Sequence, residues 1–415
     1  MKISYISTYD NHGGAAIAAS RLFKGIQSQG IEANFITQRK TVSDKNVIGP
    51  KNQLEQKLLT FFTLIDRIPL SFYKNRESTP WSLSLAPFNS RVITKIMQTN
   101  PDIVHLHWVG NDFIPITKIR KISKPIVWTM HDSWPFTGGC HLPYDCTKYK
   151  QECGNCPQLQ SNNEKDISRY ILRKKKHSWD NLDITVVSPS QWLARKAKNS
   201  SLFRNKRIVV IPNGIDTDVF RRIEKKLARK ILGLSPDKKY ILFGAVNSTS
   251  DKNKGFSLLM DCLKVLNDKI SNKKTELLIF GNSESENIKD APFKCRYFGK
   301  INDDEKLTLL YSAADVFVCP SLIENLPNTV VESLSCGTPV VAFKVGGLCD
   351  IVSHKENGFL AKPFDVSDLS TGILWAINHH NYKMISENSR NTAINKFSIE
   401  GSSKKYVNLY RQILS

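Results

Sequence analysis

Two glutamates set eight residues apart are the residues best placed to do chemistry. Glu324 lies in the run Pro320-Ser321-Leu322-Ile323-Glu324-Asn325-Leu326-Pro327-Asn328, and Glu332 follows it. A carboxylate accepts paired hydrogen bonds from vicinal hydroxyls, the property by which an acidic residue holds a ribose in dinucleotide folds. Free N–H groups of a loop and the helix mouth after it suit phosphate oxygens. Two glutamates at this interval are common by chance. Their context, an apolar run Val316–Cys319 before and a helical pattern after, makes the pair informative. The competing use of two carboxylates, the acid and nucleophile of a glycosidase, fits a ligand-binding helix less well.

A second candidate is Lys252-Asn253-Lys254-Gly255, which opens a helix after another apolar run. Lysine opposes the macrodipole at a helix N-terminus, so Lys252 and Lys254 are better explained by a phosphate that needs a point charge. In the first half, His12-Gly13-Gly14-Ala15 links a strand to a helix, where glycine permits close backbone approach to an anion; a plain structural turn explains it equally well. His131 and Asp132 follow Ile126–Met130 directly, and strand ends face the ligand crevice in open α/β sheets. His105 and His107, two apart on one strand face, read as structural. Cys140, Cys146, Cys153 and Cys156 put four thiols in 17 residues. Four thiolates in a short loop suit a closed zinc site, with two disulfides or free thiols as the alternatives.

These residues need strands and helices to hold them. Short β-branched or aromatic runs recur at Ile3–Ser7, Ile103–Trp108, Ile126–Met130, Ile184–Val187 and Ile208–Ile211, then at Tyr240–Val246, Leu277–Phe280, Val316–Cys319 and Val340–Phe343. Continuous apolar runs of this length suit strands buried on both faces. Amphipathic stretches such as Gly255–Asp268 and Asp303–Ala314 lie between them. The alternation predicts an α/β chain of two Rossmann-like domains. The boundary is expected after the polar, basic Asn199–Arg207, and Ile399–Leu414 reads as a closing helix.

The chain has 415 residues and a formal charge of +21, enough basic surplus to attract nucleic acid, anionic lipid or phosphorylated substrates unless it reflects lysine-rich composition alone. Arg173-Lys174-Lys175-Lys176 is a lone basic run without interleaved aromatics, so a nucleic-acid partner is not expected. No apolar run approaches the ~20 residues of a membrane span, and the apolar start of the chain is too short for a secretory signal. The expected compartment is therefore the cytoplasm. Leu54–Tyr73, apolar with basic flanks, would suit either a core helix or the interface of an anionic membrane.

Taken together, the Gly13-Gly14-Ala15 loop, His131-Asp132, Ile211-Pro212-Asn213-Gly214-Ile215-Asp216, Lys254-Gly255, Glu324-x7-Glu332, the run Glu332 to Val340 and Gly346-Gly347 resemble the retaining glycosyltransferases of family 4 over nearly the whole chain. The resemblance implies the glycosyltransferase-B fold: two Rossmann-like domains facing across a cleft, an acceptor domain at 1–203 with 396–415 packing back on it, and a donor domain at 204–395. It implies a nucleotide-sugar donor, UDP- or GDP-linked, and no catalytic metal. Glu332 would hold the ribose and Glu324 the donor sugar. The amides around Asn325, Leu326 and Asn328 would face the donor, Lys254 would neutralise the diphosphate, and Gly14 would approach it. His131 would belong to the catalytic set. Gly244 is followed by Ala245 where the family usually carries an arginine, and Lys252 is the candidate for its place. The loop also lacks the Gly-Phe-Gly that many members have after the first glutamate.

The expectation is a retaining hexosyltransferase acting on a saccharide or lipid-linked saccharide in polysaccharide biosynthesis, peripheral on the inner face of the cytoplasmic membrane. A nucleotide-sugar epimerase and a basic nucleic-acid-binding protein are the alternatives.

Overall fold

Alternate residues of the short apolar runs go to opposite faces of their sheets, and both faces are covered. Ile241 and Phe243 enter one core while Tyr240 and Leu242, their neighbours on the same strand, enter another. The computed structural model describes residues 1–85, 91–245, 248–270, 273–281 and 291–415. Val246, the expected last residue of one strand, lies outside them.

The first unit comprises Met1–Pro212 and Ser402–Ser415. Its strands are β1 (Lys2–Tyr9), β2 (Glu32–Arg39), β3 (Val47–Ile48), β4 (Ile103–Leu106), β5 (Ile126–Thr129), β6 (Ile184–Ser188) and β7 (Arg207–Val210). They form one sheet in the order β3-β2-β1-β4-β5-β6-β7, with every pairing parallel. The helices between them are α1 (Gly14–Gln27), α2 (Gln53–Arg67), α3 (Arg91–Gln98), α4 (Ile167–Trp179) and α5 (Gln191–Lys198).

The second unit is Asn213–Gly401. It contains α6 (Lys225–Ile231), β8 (Lys239–Gly244), α7 (Phe256–Asn267), β9 (Thr275–Phe280), β10 (Lys294–Tyr297), α8 (Asp304–Ala313), β11 (Val316–Cys319), α9 (Asn328–Ser335), β12 (Val340–Phe343), α10 (Leu348–Ile351), β13 (Gly358–Ala361), α11 (Val366–Ile377) and α12 (Tyr382–Phe397). Its sheet runs β10-β9-β8-β11-β12-β13, again all parallel. Both sheets follow the Rossmann order, which reverses direction beside the first strand of each unit, and ligands bind at that reversal beyond the carboxyl ends. The reversals fall between β1 and β4 and between β8 and β11.

The last helix, α13 (Ile399–Leu414), lays Tyr406, Val407, Leu409 and Tyr410 on the first sheet beside Ile3, Tyr5, Ile103 and Val127. The unit limits differ from those expected at both crossings. Residues 204–212 stay with the first unit because β7 pairs with β6. Residues 396–401 stay with the second because Ile215 N–H donates to the Phe397 carbonyl at 2.8 Å and Ile399 N–H to that of Ile215 at 2.7 Å. Among the described residues, no helix is long and apolar enough to cross a membrane.

Candidate active site

At the reversal of the second sheet, β8 and β11 deliver two loops that are tied to each other. Asp251 caps the tight turn Lys252–Lys254 through the Asn253 N–H, 2.9 Å away. Asn253 then bonds the β11 loop twice: its Nδ2 donates to the Ile323 carbonyl at 2.9 Å, and its own carbonyl accepts from Leu322 N–H at 2.9 Å. Gly255 adopts φ +69°, and a Cβ there would stand 1.9 Å from the Pro320 carbonyl oxygen. A Cβ on Gly346, at φ +56°, would stand 2.1 Å from the Glu324 carbonyl oxygen, which accepts from Gly347 N–H at 2.8 Å. Two segments thus fix the loop that carries Glu324.

The side chains follow from that frame. Lys254 Nζ donates to Glu324 Oε1 at 2.8 Å, with both groups largely buried. Burial alone would lower the Lys254 pKa, but the Glu324 carboxylate outweighs it and the ammonium is held above its ordinary range. Glu332, in the second turn of α9, is buried and accepts a 3.0 Å hydrogen bond from Tyr311 Oη. Pro327 begins α9 without a side-chain cap, no acidic residue sits in its first turn, and Gly255 likewise leaves α7 without a side-chain cap. Helix N-termini of this kind attract anions.

Glu324, Lys254 and Glu332 therefore meet at one end of one sheet, with Asn325, Leu326 and Asn328 on the loop and first turn between the glutamates. Leu326 points into the core beside Val330, so any ligand contact it makes is through its backbone. Lys252 is exposed on the same turn as Lys254. Sequence reasoning missed Asn253 and Tyr311. Asn253 was legible only as the residue between two lysines, and Tyr311 is a core residue of α8 with no local signal.

On the first unit, Gly14 begins α1 after Gly13, at φ +83°, with no side-chain cap and no acidic residue in the first turn. His131 follows β5 after one residue, Met130, and is half-buried. Its Nε2 meets His107 Nδ1 at 2.9 Å, and burial lowers its pKa to about 4 although Asp132 pulls the other way. Burial also raises the Asp132 carboxyl, but His141, 2.9 Å away, and the Trp134 N–H together bring it below its usual value. His131 is a neutral imidazole suited to hydrogen bonding and proton transfer. His107, read as structural, is thus also its direct partner. His105 bridges Thr129 Oγ1 at 2.7 Å and Tyr410 Oη at 2.6 Å, which locks α13 to the sheet.

The four loop cysteines are unpaired thiols that line one small cavity of about 20 Å³. Among the described residues, no three His, Cys, Asp or Glu groups stand gathered as a ready metal-binding set.

Comparison with known proteins agrees with the architecture. Residues 12–219 match the family model described as Glycosyltransferase Family 4, and residues 224–392 the model described as Glycosyl transferases group 1. An uncharacterized glycosyltransferase of Methanocaldococcus jannaschii is 27% identical over 287 residues, covering 66% of this chain and 70% of that one. The O-antigen chain mannosyltransferase B of Escherichia coli is 34% identical over 116 residues, 28% of this chain and 30% of its own. The Anabaena protein HepE, solved in complex with UDP and glucose, superposes with a TM-score of 0.66 at 18% identity over 99% of this chain and 100% of its own. Two parallel Rossmann sheets, the Glu324–Lys254 and Glu332 positions at the second reversal, and a family match across half the chain lead to one conclusion: the chain is a family 4 glycosyltransferase with the glycosyltransferase-B fold.

Proposed function

We propose that this enzyme is a retaining glycosyltransferase that moves a hexose-type sugar from a UDP- or GDP-linked donor to a saccharide or lipid-linked saccharide acceptor in polysaccharide biosynthesis. The observation that carries this reading is the Lys254–Glu324 pair, held by Gly255 and Gly346 at the mouth of α9, with Glu332 one turn beyond. A donor laid along this edge meets three groups in order. Glu332 takes the ribose diol, Lys254 and the uncapped helix starts take the diphosphate, and Glu324 takes the sugar hydroxyls.

In this reading the bond from the anomeric carbon to the diphosphate oxygen breaks as the acceptor hydroxyl attacks from the same face. The proton of that hydroxyl passes to the departing phosphate oxygen. Lys254 then does the work that a divalent cation does in other transferases, because fixed positive charge stabilises the negative charge developing on the leaving group. His131, kept neutral, gives the first unit a hydrogen-bonding group without a competing charge. The O-antigen role in one relative's name and the UDP and glucose bound by HepE support a polysaccharide setting and a nucleotide-sugar donor.

The acceptor side has a surface that suits a lipid carrier. Leu54, Leu58, Phe61, Leu64 and Ile68 form one exposed stripe along α2 and just beyond it, and Phe72, 81% exposed, extends it. Lys51, Lys57, Arg67, Lys74 and Arg76 are exposed around this stripe, while Glu55 is paired with Lys95 and Asp66 is buried. An apolar stripe with a basic rim is the pattern of a helix lying in an anionic interface.

A thermal-shift screen against UDP- and GDP-sugars tests the donor site, followed by NMR of the product's anomeric configuration. The reading expects stabilisation by one nucleotide class and a product of unchanged configuration. No stabilisation by any nucleotide sugar removes the donor assignment, and an inverted product removes the mechanism. Co-sedimentation with vesicles containing phosphatidylglycerol tests the surface. Phe61→Asp should abolish that binding, and wild-type protein that stays in the supernatant removes the membrane reading.

A further inference from the structure

His107 stands beside His131 at the carboxyl end of the first sheet, and its backbone is tied on both sides. Its N–H donates to the Ile6 carbonyl at 2.9 Å, and its own carbonyl accepts from Trp128 Nε1 at 3.0 Å. The residue is 2% exposed, and its Nδ1 lies 2.9 Å from His131 Nε2. The other ring nitrogen, Nε2, is buried and meets no hydrogen-bond partner among the described residues. His105, two residues earlier, is the contrast: its Nε2 meets Thr129 Oγ1 and its Nδ1 meets Tyr410 Oη.

One matched nitrogen and one unmatched nitrogen bear on where the protons sit. Burial holds both His107 and His131 below the ordinary imidazole range, so near pH 7 each ring is neutral and carries a single N–H. The bond between them then has two forms. In one, His131 Nε2–H donates to His107 Nδ1, and the His107 proton is stranded on Nε2 as a buried N–H without an acceptor. In the other, His107 Nδ1–H donates to His131 Nε2, and only a lone pair of His107 goes unmatched. Orphaned buried N–H groups are rarer in folded proteins than under-used acceptors. No aromatic face stands in for the missing acceptor. The rings of Tyr5 and His105 are centred 5.6 and 4.3 Å from that of His107, with planes only 22° and 34° from its own. Neither face therefore opens toward an N–H lying in the His107 ring plane. The second form is favoured.

We infer that His107 is a positioning residue that sets the tautomer of His131: it donates from Nδ1, so that His131 carries its proton on its own Nδ1 and acts as a hydrogen-bond donor and not as a base. The partner's bond decides which nitrogen of an imidazole is protonated. His131 Nε2, the one lone pair of that ring, is taken up by His107. A ligand that reaches His131 Nδ1 meets an N–H, which suits a hydroxyl or phosphate oxygen. His131 then has no lone pair with which to take the proton of an attacking hydroxyl, in keeping with the passage of that proton to the departing phosphate. This consequence rests on the retaining reaction proposed above; the protonation order itself does not.

The test uses the full chain, without ligand, labelled with nitrogen-15 in its histidine rings. Long-range proton–nitrogen NMR spectra near pH 7 separate protonated from bare ring nitrogens, and His131→Gln and His107→Asn assign the two rings by the signals they remove. Both rings should show a protonated Nδ1 and a bare Nε2. A His131 proton found on Nε2, on both nitrogens, or shared about equally between them overturns the inference. The variants add a readout that a merely structural His107 would not move. His107→Asn keeps an N–H donor near the Nδ1 position and should leave the His131 proton on Nδ1. His107→Asp puts an acceptor there and should move that proton wholly to Nε2; a folded Asp variant with the proton still on Nδ1 overturns the inference too. Should the Asp variant not fold, the wild-type spectrum decides alone. Thermal shift with nucleotide sugars reports separately on the donor site, so its failure removes the proposed reaction and leaves the protonation order standing.

Discussion

Replacing Glu332 by glutamine changes one oxygen of one buried side chain, and the proposed donor geometry makes its consequence calculable. The carboxylate accepts from Tyr311 Oη at 3.0 Å through one oxygen. Glutamine keeps a carbonyl oxygen for that bond, so folding stability should hold. What it loses is the second acceptor and the negative charge that would grip a ribose diol. Hydrogen bonds to charged groups contribute roughly 1.5–3 kcal/mol each. Losing one and weakening the other costs about 2–4 kcal/mol, or ~30- to 1,000-fold in nucleotide affinity. Isothermal titration with UDP and GDP, whichever binds the wild type, reads this directly. Inorganic diphosphate is the internal control, because it has no ribose and its affinity for the variant should match the wild type. A Glu332→Gln protein with unchanged melting temperature and nucleotide affinity within about threefold of wild type refutes the ribose assignment. Equal losses for nucleotide and diphosphate would instead place Glu332 on the phosphates.

Two other perturbations follow from the same geometry. Gly255→Ala sets a methyl 1.9 Å from the Pro320 carbonyl oxygen at φ +69°, so the two donor-side loops cannot both keep their places. The expected loss is at least ~2 kcal/mol of stability in urea unfolding, together with loss of nucleotide binding; a variant equal to wild type in both would remove the close approach from the account. His131 has a folded pKa of about 4 against an ordinary 6.5. The unfolded chain then binds more protons between those values, so stability is full above pH 6.5 and falls as pH drops towards 4. From pH 7 to pH 5 the loss assigned to this group is about 2 kcal/mol, and His131→Gln should flatten the curve by that amount. A variant as acid-sensitive as the wild type would show that the imidazole is not held neutral by the fold.

The parallel sheets were legible because strands buried on both faces must be continuously apolar, and nine such runs stand out in the chain. The strands that escaped notice are those that break this rule. β2 carries Asn34, Thr37 and Gln38 inside the protein, and Thr37 Oγ1 donates to the Thr8 carbonyl at 3.0 Å. β3, with two residues, and the edge strands β10 and β13 are too short or too exposed to leave a pattern.

The site divides along the same physical line. Glu324, Glu332 and Lys254 could be picked out because strand ends and helix starts are visible in sequence, and unusual charges there call for a ligand. Their supports could not. Tyr311 reaches Glu332 from the interior of another helix, Gly346 meets Glu324 through backbone alone, and His141 steadies Asp132 from beyond a turn. Each is an ordinary core or loop residue until the chain folds. A retained carboxylate in a transferred motif therefore implies the right charge, but its orientation is set by residues no local motif contains. Substituting those supports, rather than the carboxylates, separates loss of charge from loss of aim. Tyr311→Phe leaves the Glu332 charge in place and removes one bond that orients it, so it should weaken nucleotide binding less than Glu332→Gln does.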